Sequence, residues 1–270
     1  LIEDLLIVAP DKPTKQILST KRPHMFSVIV PTYNRGDLLL RSIHSVINQT
    51  FKKWELIIID DGSTDHTSDL VKSIVSTDKR IQYVKLPDNC GVANARNVGI
   101  SLAKNPYLCF LDSDDEWRLD KLEKQSNFLS TNRTATFLFS SYFNISKRSK
   151  IISYTGPHTY SALLLHNFIP LSTVCIHHSL LKRFIFPNIK HEDYGLWLNI
   201  LHEDPNIFYI DEPLMNYYCH DGNLTKNKFM SILWVFNVFK SHRGFLFALY
   251  KFPIFVFFRL NELLKEFSRA

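Results

Sequence analysis

The sequence predicts an α/β fold with a mostly parallel central sheet flanked by helices. Two observations carry this. Between residues 26 and 111, short apolar runs alternate with segments of helical spacing. Polar signatures then stand at the ends of three of those runs, where a parallel sheet places its ligands. A chain of 270 residues with 45% hydrophobic and 21% charged content can bury the core that one large α/β domain or two small ones require.

Taken in order, FSVIV (26–30) is a short buried strand that Pro31 stops. GDLLLRSIHSVINQT (36–50) carries Leu39, Ile43, Val46 and Ile47 at helical spacing. WELIIID (54–60) is a second buried strand. DGSTDHTSDLVKSIV (61–75) opens on cap-type residues Ser63, Thr64 and Asp65 and continues as a helix. IQYVKL (81–86) is a strand, GVANARNVGISLAK (91–104) a helix and PYLCFL (106–111) a fourth strand. Beyond Asp120 the alternation weakens. TATFLFSSYFNI (134–145) reads as a strand, HEDYGLWLNILHE (191–203) as a helix, NIFYID (206–211) as a short strand and YYCHDGNLT (217–225) as a loop. From Lys226 onward the chain is helical and aromatic.

Charge and cysteine narrow the class. The net charge of +6 resides in residues 226–270, which hold eight Lys/Arg against two acids, so the first 225 residues are neutral overall. A basic tail on a neutral body points to a localised contact and away from general nucleic-acid binding. Cys90, Cys109, Cys175 and Cys219 have no metal-type spacing and read as free thiols of a reducing compartment. Residues 1–25, with three prolines and several lysines, read as a leader or linker. The tail contains ten Phe, but its longest uncharged apolar run, FPIFVFF, is seven residues, against the roughly 20 needed to span a bilayer. Two readings stay open for 226–270: an interfacial membrane helix, or packing on protein.

The chemistry concentrates in DSDDEW, DDGSTD and PTYNR. Asp112 and Asp114 flank one small residue at a strand end, a spacing that can point oxygens at one hard cation. Asp115 and Glu116 suit a helix start, where the macrodipole favours acids. In DDGSTD, Gly62 and the hydroxyls build a tight turn, leaving one of Asp60 and Asp61 free to accept a ligand N–H. Tyr33 offers a ring for a base to stack on and Arg35 a phosphate partner.

The ordered set FSVIVPTYNRGDLLLRSIHSVINQTFKKWELIIIDDGSTDHT, DNCGVANARNVGI and YLCFLDSDDEW resembles family 2 of the nucleotide-sugar glycosyltransferases. The likeness is strong over 26–130 and looser over 131–225. It implies a GT-A (Rossmann-like) glycosyltransferase domain over 26–225, with nucleotide-sugar binding in 26–130, acceptor binding in 131–225, and 226–270 as a helical extension. It implies an inverting transferase dependent on Mn²⁺ or Mg²⁺, moving a sugar from a nucleotide donor, UDP-sugar first, to a saccharide or glycolipid hydroxyl in bacterial surface-polysaccharide synthesis.

Residue by residue, the resemblance implies that Pro31, Thr32 and Tyr33 line the base pocket. Asp61, with Asp60, would read the base and Arg96 would lie near base and diphosphate. Asp112 would contact ribose or metal, Asp114 would ligate the metal and His220 would join it. HEDYGLWL resembles the family's acidic step, making Asp193 the general base and Glu192 an acceptor-positioning residue. Polyprenyl-phosphate transfer needs no base, so Asp193 argues against it. A nucleotidyltransferase would want a Gly-rich, Arg-containing loop that PTYNRGD does not provide. A non-catalytic nucleotide-sugar-binding module is disfavoured by the intact acids. The expected location is cytoplasmic, peripheral on the inner face of the cytoplasmic membrane.

Overall fold

The computed structural model describes residues 25–146, 149–218 and 228–267, with side chains omitted at 228–229 and 262–267. Residues 1–24 of the expected leader, and His220, lie outside the described residues. The chain runs β1 (Phe26–Thr32), α1 (Gly36–Ile47), β2 (Trp54–Asp60), α2 (Thr67–Val75), β3 (Ile81–Lys85), α3 (Val92–Leu102) and β4 (Tyr107–Phe110). It continues with β5 (Glu116–Trp117), α4 (Lys121–Thr131), β6 (Phe137–Ile145), β7 (Lys150–Ile152), α5 (Tyr160–Leu163) and a 3-10 turn (Leu171–Thr173). β8 (Cys175–His177), α6 (His178–Leu181), α7 (Glu192–Glu203), β9 (Ile207–Tyr218), α8 (Lys228–Arg243) and α9 (Phe245–Phe267) complete it.

The strands join one sheet in the order β3-β2-β1-β4-β8-β6-β9-β5, with β7 beside β6. β1, β2, β3 and β4 are mutually parallel, as the alternation predicts. β8 enters antiparallel between β4 and β6, which makes the sheet mixed. Burial on both faces explains the apolar runs. Val28, Val30, Leu56 and Ile58 pack with α1, α2 and α4 through Leu39, Ile43, Val71 and Leu122. The alternate residues Ile29, Ile57 and Ile59 pack with α3 and α7 through Ala95, Ile100 and Trp197. The second face also takes Val238 and Phe239 of α8 and Ala248 of α9, all fully buried. Part of the basic tail is therefore core.

Four local expectations change. β1 runs through Pro31 to Thr32, because β4 stops pairing at Ile29 and a proline is tolerated where β1 has β2 as its one neighbour. Residues 61–66 are turn, and α2 begins only at Thr67, whose N–H and hydroxyl both donate to the Asp65 carboxylate. Asp115 and Glu116 do not open a helix. Asp115 is buried in a turn, Glu116 starts β5, and α4 begins at Lys121. β9 is longer than NIFYID suggested, since Tyr217 and Tyr218 continue the ladder with β6.

The order of the parallel strands switches at β1, with β2 and β3 laid to one side and β4 to the other, so the ends of β2, β1 and β4 stand side by side. Their close backing by α3 requires Gly99, where a Cβ would sit 2.5 Å from Ile29 Cγ2. Gly99→Val is expected to lower unfolding stability by about 1–3 kcal/mol through overpacking, read from urea denaturation; an unchanged midpoint would refute this contact.

Candidate active site

The site is built on a buried cation. Arg96 of α3 is 3% exposed and lies beneath the strand ends. Its Nη2 donates to Asp112 Oδ1 at 2.7 Å and its Nη1 donates to Glu192 Oε1. The guanidinium carbon stands 5.3 Å from the centre of the Phe186 ring. The two carboxylates hold Arg96 firmly charged against the cost of burial. One residue thus ties the end of β4 to the start of α7.

Around this pair the acids differ in state. Burial pushes the Asp112 carboxyl up, Arg96 pulls it down, and the charges of Asp114 and Glu192 push it up again. Asp193 is pushed up to about 7, first by burial and then by the charge of Glu192, against the Tyr194 backbone N–H and Arg96. A carboxylate poised near neutrality suits proton transfer. It is reached by an unusual backbone, for His191 caps α7 in the left-handed region at φ 57°.

The metal-type segment is held from outside itself. Ser172 Oγ accepts the Asp112 N–H at 3.1 Å and donates to Asp115 Oδ2 at 2.6 Å. Burial and the charge of Asp112 push Asp115 well up, which suits its 4% exposure. Ser42 Oγ donates to Asp115 O at 2.7 Å and Arg41 Nη2 to Asp114 O at 2.5 Å. Arg41 also stacks 3.6 Å over the Tyr218 ring, and Tyr218 Oη donates to Glu116 Oε2 at 2.6 Å. Sequence reasoning missed Ser172 and Arg41. A serine inside LSTV and an arginine on an amphipathic helix carry no local signal.

Of Asp60 and Asp61, one of which the sequence reading leaves free for a ligand, Asp60 is taken up within the turn. Asp60 is fully buried, and its oxygens accept the Ser63 N–H at 2.7 Å and Tyr83 Oη at 2.5 Å. Asp61 is 3% exposed and accepts the Cys90 and Gly91 N–H groups at 2.9 and 2.8 Å, which pins the 86–91 loop to the end of β2. Each Asp61 oxygen retains a further lone pair. Gly62, at φ 78°, lets this loop approach, since a Cβ there would meet the Asp88 backbone at 2.8 Å. Tyr33 is 43% exposed at the crevice, and Thr32 Oγ1 is buried without a partner among the described residues. Asn34, at φ 50°, bonds the DDGSTD turn through Thr64 N–H. Arg35 forms no ion pair among the described residues.

Asp112 and Asp114 are both half-buried at the end of β4, and carboxylates of this kind are the ligand type a hard cation takes. No group of three His, Cys, Asp or Glu suited to a metal occurs among the described residues.

The strand ends at the order switch, tied through Arg96 to the start of α7, sit in a fold shared with solved GT-A glycosyltransferases. The fold matches Staphylococcus aureus TarS residues 1–349 in complex with UDP-GlcNAc at TM-score 0.67 and 19% identity, covering 86% of this chain and 71% of that one. It also matches the Pyrobaculum calidifontis mannosyltransferase PcManGT in complex with GDP-Man and Mn²⁺, at TM-score 0.61 and 18% identity over 87% of this chain and 74% of that one. The family profile described as glycosyl transferase family 2 matches residues 27–189, and the chain belongs to that family. The Escherichia coli UDP-Glc:alpha-D-GlcNAc-diphosphoundecaprenol beta-1,3-glucosyltransferase WfaP is 36% identical over 220 residues, 80% of this chain and 86% of that protein.

Removing Arg96 leaves two carboxylates facing without their cation. Arg96→Met is expected to destabilise by about 3 kcal/mol, the low end for a buried pair because Asp112 is one-third open to water. Thermal unfolding reads this, and Asp112→Asn in the same chain should restore part of the loss.

Proposed function

We propose that this glycosyltransferase is a metal-dependent, inverting enzyme. It moves a sugar from a nucleotide donor, a UDP-sugar first, to a hydroxyl of a saccharide or glycolipid acceptor in bacterial surface-polysaccharide synthesis. The observation that carries this reading is the Arg96 bridge, which joins Asp112 at the donor crevice to Glu192, the residue before Asp193. The donors bound by TarS and PcManGT, and the lipid-linked acceptor of WfaP, support the substrate class.

In this reading Tyr33 stacks on the base, Pro31 and Thr32 line its pocket, and Asp61 accepts a base N–H. Asp60 acts by fixing the turn beneath it. Arg35 meets the diphosphate, and Arg96 acts beneath it by holding Asp112 and Glu192. Asp112 and Asp114 would hold Mn²⁺ or Mg²⁺, with His220, which lies outside the described residues, as a further ligand. Such an ion neutralises the charge that develops on a leaving diphosphate. Asp193 takes the proton from the acceptor hydroxyl as its oxygen attacks the anomeric carbon opposite the diphosphate, and that approach inverts the centre. Glu192, held by Arg96, orients the acceptor. A polyprenyl-phosphate acceptor is already anionic and would leave Asp193 without work.

The catalytic unit is residues 26–225, with α8 and α9 attached. No described helix is long and apolar enough to cross a membrane. α9 nevertheless exposes Leu246 at 80%, Tyr250 at 65% and Phe257 at 63%. These residues support peripheral contact with the inner face of the cytoplasmic membrane, aided by Lys251 and Arg259.

Asp193→Asn is expected to keep UDP binding and lose transfer by about 10²–10⁴-fold, measured as sugar incorporated per enzyme; retained transfer removes Asp193 from the base role. Below its pKa Asp193 is protonated and cannot accept, so kcat/KM for the acceptor should fall as pH drops through about 7. A flat profile from pH 6 to 8 would contradict that assignment. Chelation of divalent metal should abolish transfer, with Mn²⁺ or Mg²⁺ restoring it. Asp114→Ala should lose that restoration, and full activity in chelator would exclude the metal.

A further inference from the structure

A groove of about 550 Å³ lies outside the nucleotide crevice, between the segment before α7 and the flank of α8. Asn188, Ile189, Lys190, Trp234, Asn237, Lys240 and Ser241 line it. Two features fix where it sits. Lys190 immediately precedes His191-Glu192-Asp193 in the chain. The His191 ring lies 5.5 Å from the Trp234 ring, and its Nε2 is 2.8 Å from Ser231 Oγ. One end of the groove therefore abuts the residues that begin the base helix. The other end follows α8 from Trp234 to Ser241, a rise of about 10 Å at 1.5 Å per residue.

The lining has a consistent chemistry. It offers two ammonium groups, two side-chain amides, a hydroxyl, an indole and the apolar side chain of Ile189. No carboxylate lines the groove, and neither lysine forms an ion pair among the described residues. Two uncompensated cations facing one groove favour an anion of two charges or more. The amides and the hydroxyl supply further donors to its oxygens. The indole at the end nearer Asp193 offers a flat apolar face for a sugar ring. Past Ser241 the chain turns into α9, where Phe245 is 54%, Leu246 80% and Leu249 50% exposed. Apolar surface thus begins where the basic groove ends.

We propose that this groove holds the diphosphate of a lipid-linked saccharide acceptor, with Lys190 and Lys240 as its phosphate contacts. The saccharide extends toward Asp193 and the hydrocarbon leaves toward the start of α9. The proposal rests on the transferase reading above, with Asp193 at the acceptor hydroxyl, and it narrows the acceptor to an anionic lipid conjugate.

The test titrates farnesyl diphosphate, inorganic pyrophosphate and farnesol into the full chain by calorimetry, with saturating UDP and Mn²⁺ so that the donor site is filled. Farnesyl diphosphate is expected to bind at least tenfold more tightly than either fragment. Lys190→Ala with Lys240→Ala should weaken it tenfold or more while leaving UDP affinity unchanged, and Lys190→Arg with Lys240→Arg should keep it. No binding to the wild-type chain, or binding untouched by the double alanine variant, overturns the proposal. Equal affinity for pyrophosphate overturns the lipid assignment and leaves a site for free anions. Failure of UDP itself to bind is a separate result that would sink the nucleotide-sugar reading instead.

Discussion

The organisation of this enzyme depends on one desolvated guanidinium. Arg96 comes from α3, packed against β1 and β2, yet its two partners come from the end of β4 and the start of α7. A buried arginine without partners carries a penalty of several kcal/mol, and two carboxylates offset it only when both are in place. The cation therefore sets a geometric condition. The loop carrying Asp112 and the helix carrying Glu192 must meet at a fixed separation, and Asp193 is carried along with its neighbour. Burial pushes both Asp112 and Asp193 up, and the same cation pulls against it at each.

The first half of the fold was legible because its strands are buried on both faces. Continuous apolar runs such as FSVIV and WELIIID are what a doubly covered parallel sheet demands, and their polar ends mark the crevice. The second half was less legible for a physical reason. β7, α5, β8 and α6 are three or four residues each, too short for a period to form, and they exist by pairing with distant chain. β8 is a strand because Cys175 meets Cys109 and Leu138 across the sheet, information that no local window contains.

At the site, residue types were legible and their couplings were not. Asp112, Asp114, Glu192 and Asp193 stood out as acids at element ends. That Asp60 would be consumed by the Ser63 N–H and Tyr83, or that Asp115 would be buried against Ser172, required the third dimension. Arg96 was expected near the ligand because a resemblance implied it. Its place beneath the acids is set by a helix that offers the cation no water.

The helices at the end of the chain bear on how such a protein can change over time. Val238, Phe239 and Ala248 share one apolar cluster with Trp197 of α7 and Ile29 of β1. A descendant that lost or exchanged these helices would uncover the outer face of α7 and the cluster beneath it. The element that faces outward is thus fastened to the domain through that cluster. Its exposed residues can be exchanged without disturbing the cluster beneath, so what this face meets can be retuned residue by residue on a constant scaffold.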